Sequence, residues 1–346
     1  MPIRPIEDSD VDMADVGAPA AKRARHSGAD GLQEFVDLGL PMDKALAQSY
    51  TFFSPTPSTD DDNGFVLGVD EAGRGPVLGP MVYAACFCRE SYYDALSSVG
   101  FADSKQLSEA QRAELFRKLQ EPKTQEHSGW AIRCISPQDI SQCMLRRSKY
   151  SLNALAHDAT IQLLRDVLDR GIRVRRVYID TVGPPETYQR KLQGLFPDID
   201  EIRVAKKADS IYPIVSAASI CAKVTRDAHL ANWVFAEPLP RPLSTKYGSG
   251  YPGDPNTIKW LRESLDPVFG FPGIIRFSWS TCSKLLEERG ARVVWPGDDE
   301  GEGAAKGRKK APASAYFARG GMAADSRPRS KFFSRHKAIE LGTASL

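Results

Sequence analysis

FVLGVDEAGRGPVLGP, residues 65–80, decides how this chain is read. Its first five residues are apolar and β-rich, and the run then ends on two adjacent carboxylates, Asp70 and Glu71. A Gly-Arg-Gly turn follows, and a second apolar run, VLGPMVYAACFC (77–88), begins directly after it. Asp and Glu are poor strand residues, so a strand that delivers both into a turn asks for a reason beyond folding. Two β-rich runs joined by a short turn predict an antiparallel hairpin. Successive strand residues point to opposite faces, so the two acids are expected to converge through a bend after Asp70, supplied by Gly73 and Gly75.

Further along, GWAIRCISP (129–137) reads as a third strand. SLNALAHDATIQLLRDVLDR (151–170) has helical spacing and a natural stop at Gly171. RVRRVYID (173–180) and DEIRVAK (200–206) are two more strands. IVSAASICAKVTRDAHLANWVFA (214–236) is a long helix rich in small residues, and shorter helical patches lie at 256–265 and 281–288. Three strands followed by helix, strand, strand and helix is α/β order, with a mixed sheet and helices on its faces. Residues 1–62 read as a disordered N-terminal extension, because AAKRARHSG, Pro41 and SPTPSTDDDNG leave little to pack. Residues 63–290 form the folded domain, and 291–346 a disordered basic tail in which 304–336 carry nine Lys or Arg against Asp325 alone. That run suits a solvated tail, nucleic-acid contact or a nuclear address, and KRAR (22–25) is a second candidate address.

Bulk composition is less informative, since 346 residues with a formal net charge of +2 fit many globular proteins. Cysteines at 86, 88, 134, 143, 221 and 282 form no CxxC pair, which argues against zinc and against a disulfide framework. No apolar run approaches the roughly 20 residues that span a bilayer. No signal-peptide core follows Met1, so a soluble protein of a reducing compartment is expected.

The acids at strand ends carry the chemistry: Asp70 and Glu71, then Asp180 closing YID, then Asp209 in AKKADSIYP. If the sheet sets these ends side by side, four carboxylates meet at one edge. Like charges within about 4–6 Å raise one another's pKa, and a hard divalent cation relieves the conflict through oxygen ligands. Two such ions about 3.5–4 Å apart activate a water and stabilise a leaving oxygen in phosphoryl transfer. Taken singly, Asp180 also fits a turn former and Asp209 a helix N-cap.

GVDEAGRGPVLGPMVYAA resembles the first block of the type 2 ribonucleases H, and most closely the catalytic subunits of the eukaryotic enzymes. ADSKQLS (102–108), YIDTVGP (178–184), AKKADSIYPIVSAASICAKVTRD (205–227), YGSGYPGDP (247–255) and FGFPGIIRFSW (269–279) resemble the later blocks, in order, so the likeness covers residues 64–290. It implies a ribonuclease H-like fold: a mixed five-stranded sheet flanked by helices, with a helical C-terminal extension. It also implies hydrolysis of the RNA strand of RNA–DNA hybrids and cleavage 5′ of single ribonucleotides in duplex DNA, in ribonucleotide removal and RNA primer removal. The implied catalytic and metal ligands are Asp70, Glu71, Asp180 and Asp209, holding Mg²⁺ with Mn²⁺ as a substitute.

Gly73, Arg74 and Gly75 are candidate readers of the ribose 2′-OH, which separates RNA from DNA. Tyr251 is the second reader by resemblance, and Ser104 and Lys105 resemble phosphate contacts. Arg226 either faces the duplex or pairs with Asp227; Arg74 either meets a phosphate or balances the acids. His157 is expected to pack its helix, as are the small residues from Ser216 to Ser219. The resemblance further implies a nuclear heterotrimer with two non-catalytic subunits, and FGFPGIIRFSW with the helix after it offers a candidate apolar docking surface. KFFSRHK near the end is a candidate sliding-clamp contact. The rival reading is a non-hydrolytic nucleic-acid-binding scaffold subunit.

Overall fold

The computed structural model describes residues 42, 44–59, 64–98, 100–101, 107–148, 150–181, 183–237 and 242–291. The elements run β1 (Tyr50–Phe53), β2 (Phe65–Ala72), β3 (Met81–Arg89), α1 (Tyr93–Ser98), α2 (Glu109–Gln120), α3 (Pro122–Gln125), β4 (Ser128–Ile135), α4 (Pro137–Met144) and α5 (Leu152–Leu168). They continue as β5 (Val174–Asp180), α6 (Pro185–Leu195), β6 (Glu201–Ala205), α7 (Pro213–Ala231), α8 (Pro255–Ser264) and α9 (Ser280–Arg289). The sheet order is β1-β4-β3-β2-β5-β6. β1, β4, β3 and β2 pair antiparallel, and β5 and β6 add in parallel.

Alternation along the strands divides the core. Val66, Ala84, Cys86 and Ile132 face α7. Phe65, Leu67, Val69 and Ala85 face the layer formed by α5 and α6. The small residues of α7 let it lie against β2 backbone to backbone: a Cβ on Gly68 would stand 2.6 Å from main-chain atoms of Ile214 and Val215. Capping fixes where α5 starts, since Ser151 Oγ accepts from Ala154 N–H at 3.1 Å. A third cluster joins the β2–β3 turn to the C-terminal helices through Val77, Leu78, Trp260, Leu261, Ile274 and Ile275. No helix among the described residues is long and apolar enough to cross a membrane.

Three expectations are corrected. The sheet has six strands, because Tyr50–Phe53, inside the stretch read as an extension, pairs with β4 from Tyr50↔Cys134 to Phe53↔Ala131. Four residues set in Ser- and Pro-rich sequence carry too little periodicity to announce a strand. Second, β2 does not bend between its acids: it runs on to Ala72 with Asp70↔Ala84 and Glu71↔Tyr83 in register, and the chain turns only at Gly73, φ +79°. Third, FGFPGIIRFSW is mostly interior: Phe271, Ile274 and Ile275 are buried, whereas Phe269 is 88% exposed. KRAR, the basic tail and KFFSRHK lie outside the described residues.

Candidate active site

The parallel pairing of β2 and β5 runs to Val69↔Ile179, so the next step along both strands brings Asp70 beside Asp180. β6 lies on the far side of β5, with Asp180↔Ala205 in register. Beyond Ala205 the chain reverses through Lys207, a non-glycine residue in the left-handed region at φ +56°. That reversal aims the Ala208 N–H at Asp180 Oδ1, 2.9 Å away, and seats Asp209 as a buried residue of a short 3₁₀ turn. Asp209 is not the N-cap of α7; Tyr212 holds that position, without a side-chain cap. All four sequence-selected acids therefore belong to one edge of the sheet.

Their electrostatics follow from their depth. Burial holds the Asp70 carboxyl well above the usual carboxylate range, and Glu71 and Asp180 push it further the same way. Two hydrogen bonds oppose this, one from the Ser219 side chain and one from the Glu71 N–H at 2.7 Å. Asp70 thus faces α7, while Glu71, one residue on, faces the opposite layer and shares a cleft with Arg74, Tyr83, His157, Asp180 and Tyr188. The alternation of the strand is kept, and the charges couple through the sheet edge instead of across a bend. Among the described residues no group of three or more His, Cys, Asp or Glu side chains is arranged to hold an ion as it stands. The donor set is nonetheless all carboxylate oxygen, and burial with the charges of Glu71 and Asp180 disfavours the ionised form of Asp70. That chemistry fits a hard divalent ion.

The candidate substrate-facing residues gather beside the acids. A Cβ on Gly75 would lie 3.0 Å from the Tyr251 ring, so the ring rests on that glycine. Tyr251 is 52% exposed. Its loop is held by Asp254, which accepts from Ser249 N–H at 2.6 Å and Asn256 N–H at 2.9 Å, hydrogen bonds that lower its pKa to about 2. The loop is tied to the β2–β3 turn by Val77 N–H to Gly250 O at 2.8 Å. Arg226 lies behind Gly73, where a Cβ would stand 2.6 Å from its Cδ and Nε. It meets Asp227 at 3.4 Å, and its Nε and Nη2 have no protein partner among the described residues. Arg74 turns toward the cleft and donates to Asn153 Oδ1. Ser104 and Lys105 lie outside the described residues.

Three contacts were not legible in the sequence. Ser219, read as a small packing residue, reaches Asp70. His157, read as a packing residue, stacks on Tyr188 with ring centroids 3.8 Å apart and also lines the cleft. Arg276, 0% exposed, holds the Gly-Arg-Gly turn from behind. A buried cation in an apolar segment is the only sequence signal for the last.

The model of the family described as ribonuclease HII matches residues 67–282, a span that includes all four acids. A ribonuclease H2 subunit from Bos taurus is 52% identical over 257 residues, covering 74% of this chain and 85% of that protein. The crystal structure of the ribonuclease H2 from Pyrococcus horikoshii OT3 is 33% identical with a TM-score of 0.53, covering 65% of this chain and 98% of that one. The ribonuclease HII in the structure of the PCNA:RNase HII complex from Archaeoglobus fulgidus is 28% identical with a TM-score of 0.51, covering 64% of this chain and 96% of that one.

Proposed function

The chain belongs to the ribonuclease HII family, and from that premise we propose how its site works. It is an endoribonuclease acting on the RNA strand of RNA–DNA hybrids. The finer reading is cleavage 5′ of a single ribonucleotide embedded in duplex DNA. The observation that carries it is Asp70: a buried carboxyl at the end of a central strand, coupled to Glu71 and Asp180 within the family match. A scaffold that only bound nucleic acid would gain nothing from burying acids opposite phosphates.

Asp70, Glu71, Asp180 and Asp209 would hold divalent metal, Mg²⁺ in this reading with Mn²⁺ as a substitute. Bound there, it supplies an activated water and charge stabilisation for the leaving oxygen. The protein's own groups position. Ser219 orients the Asp70 carboxyl, and the Ala208 N–H fixes Asp180. The Gly73–Gly75 turn offers backbone to a ribose, and the Tyr251 ring offers a stacking face for the adjoining sugar. Arg226, its Nε and Nη2 buried behind the turn and its Nη1 beside Asp227, backs Gly73. Arg74, which lines the same cleft as Glu71, balances the charge of the acids in this reading. Nuclear residence, two non-catalytic partner subunits and a clamp contact extend the reading; the name of the Bos taurus relative, a subunit, supports assembly with other chains, and the clamp-bound archaeal relative supports the third.

The test is cleavage of a duplex carrying one ribonucleotide, with Mg²⁺ supplied. Asp70→Ala is expected to lower kcat by about 10³-fold or more while hybrid binding, followed by fluorescence anisotropy, stays near the unmutated value. Full activity in that variant would remove the assignment.

A further inference from the structure

The Gly73–Gly75 turn is held by a side chain about two hundred residues away in sequence. Arg276 Nε donates to Gly79 O at 2.8 Å, Nη1 to Arg74 O at 3.1 Å, and Nη2 to Gly73 O at 2.6 Å and Pro80 O at 2.9 Å. The Arg276 main-chain N–H goes to Val77 O at 2.9 Å. Trp279, its ring centroid 5.0 Å from the guanidinium carbon, donates Nε1–H to Gly75 O at 3.1 Å. Burial lowers the Arg276 pKa to about 9, which still leaves a cation at neutral pH. A lysine has neither the planar fork nor the donor count for four carbonyls.

The consequence lies on the other side of the same peptides. In a trans peptide the C=O of one residue and the N–H of the next point in opposite directions. Drawing the Gly73 and Arg74 carbonyls toward Arg276 therefore turns the Arg74 and Gly75 N–H groups away from it. The third carbonyl, that of Gly75, precedes Pro76, which has no N–H. Among the hydrogen bonds of the described residues, none uses the N–H of Arg74 or Gly75. Gly75 is also where the Tyr251 ring rests.

The geometry points to Arg276 and Trp279 as positioning residues for ribonucleotide discrimination: they aim two backbone donors at the sugar, so the C-terminal segment is a working part of the specificity site. This rests on the substrate reading above. It assigns to Arg276 and Trp279 no contact with substrate or metal; they act through the turn. The ligand group they serve is the 2′ oxygen of one ribose, not the phosphates shared by every duplex.

The test uses the full chain and two duplexes of equal length, one with a single ribonucleotide as substrate and one all-deoxy as competitor. Trp279→Phe keeps an aromatic ring, smaller than the indole, and removes one donor. It is expected to raise KM for the ribonucleotide duplex about fivefold to tenfold while the Ki of the all-deoxy duplex stays unchanged. Arg276→Lys is expected to do the same more strongly. A role confined to stability would lower Tm and kcat with KM unmoved. That pattern, or a rise in the all-deoxy Ki in step with KM, would overturn the inference. Should Arg276→Lys not fold, Trp279→Phe decides alone. Loss of cleavage in the unmutated protein would instead count against the substrate reading itself.

Discussion

His229, in the last turn of α7, stands 2.7 Å from the Tyr50 hydroxyl, with both groups deep in the protein. Burial lowers the His229 pKa to about 4 and raises that of Tyr50, so a neutral ring accepts from a protonated hydroxyl. The sign follows. Below the unfolded value of about 6.5 the unfolded chain binds a proton that the folded chain refuses until about pH 4. Stability from this group is complete above about pH 6.5 and is lost as pH falls toward 4, by at most about 1.4 kcal/mol per pH unit. Urea titrations at pH 7 and 4.5 should show a smaller acid loss for His229→Gln than for the unmutated chain. Equal losses would place the acid sensitivity elsewhere. At this scale legibility is uneven. Asp70 and Glu71 were visible because two acids ending an apolar strand break a local rule. Ser219 breaks none, since serine in a helix is ordinary until its partner is known, and Arg276 shows only as a lone cation in an apolar segment.

Between elements, the approach of α7 to β2 sets the depth of the site, because it brings Ser219 to Asp70. Gly68 permits it: a Cβ there would meet the Ile214 carbonyl and the Val215 nitrogen at 2.6 Å, and neither can swing aside as a side-chain tip could. Gly68→Ala should cost about 3 kcal/mol or more and reduce cleavage along with stability, read by urea denaturation and a cleavage assay on one preparation. A wild-type midpoint would show that α7 moves off β2 at little cost. The strands β2 to β6 and the helices α5, α7, α8 and α9 are legible from apolar periodicity, with ends displaced by a few residues. α6 and the helices α1 to α4 are not, because short lengths and polar faces dilute the pattern. β1 was hidden by its length. The expected bend of β2 is absent because acids that act together need not share a face: the end of the sheet couples both faces.

For the whole molecule, β1 closes one margin of the sheet. Phe52 packs on Trp130 at 5.6 Å between ring centroids, Ser54 Oγ accepts from Trp130 N–H at 2.8 Å, and the Arg170 guanidinium lies 3.7 Å from the Phe53 ring centroid. Removing residues 1–53 would uncover the β4 edge, a template for pairing with another chain. The truncated protein should melt roughly 5–10 °C lower and self-associate, as followed by differential scanning fluorimetry and size-exclusion chromatography. An unchanged melting temperature in a monodisperse sample would assign β1 no such part. The C-terminal segment closes the other side of the site, through the Leu78↔Ile275 bridge and the Arg276 fork. By itself the sequence determined which residues can do the chemistry, since oxygen ligands, glycine turns and apolar periodicity are properties of residue type and short spacing. Tertiary structure alone decided which of them meet, because register between β2 and β5, the packing of α7 and the inward turn of three carbonyls depend on contacts between segments far apart along the chain.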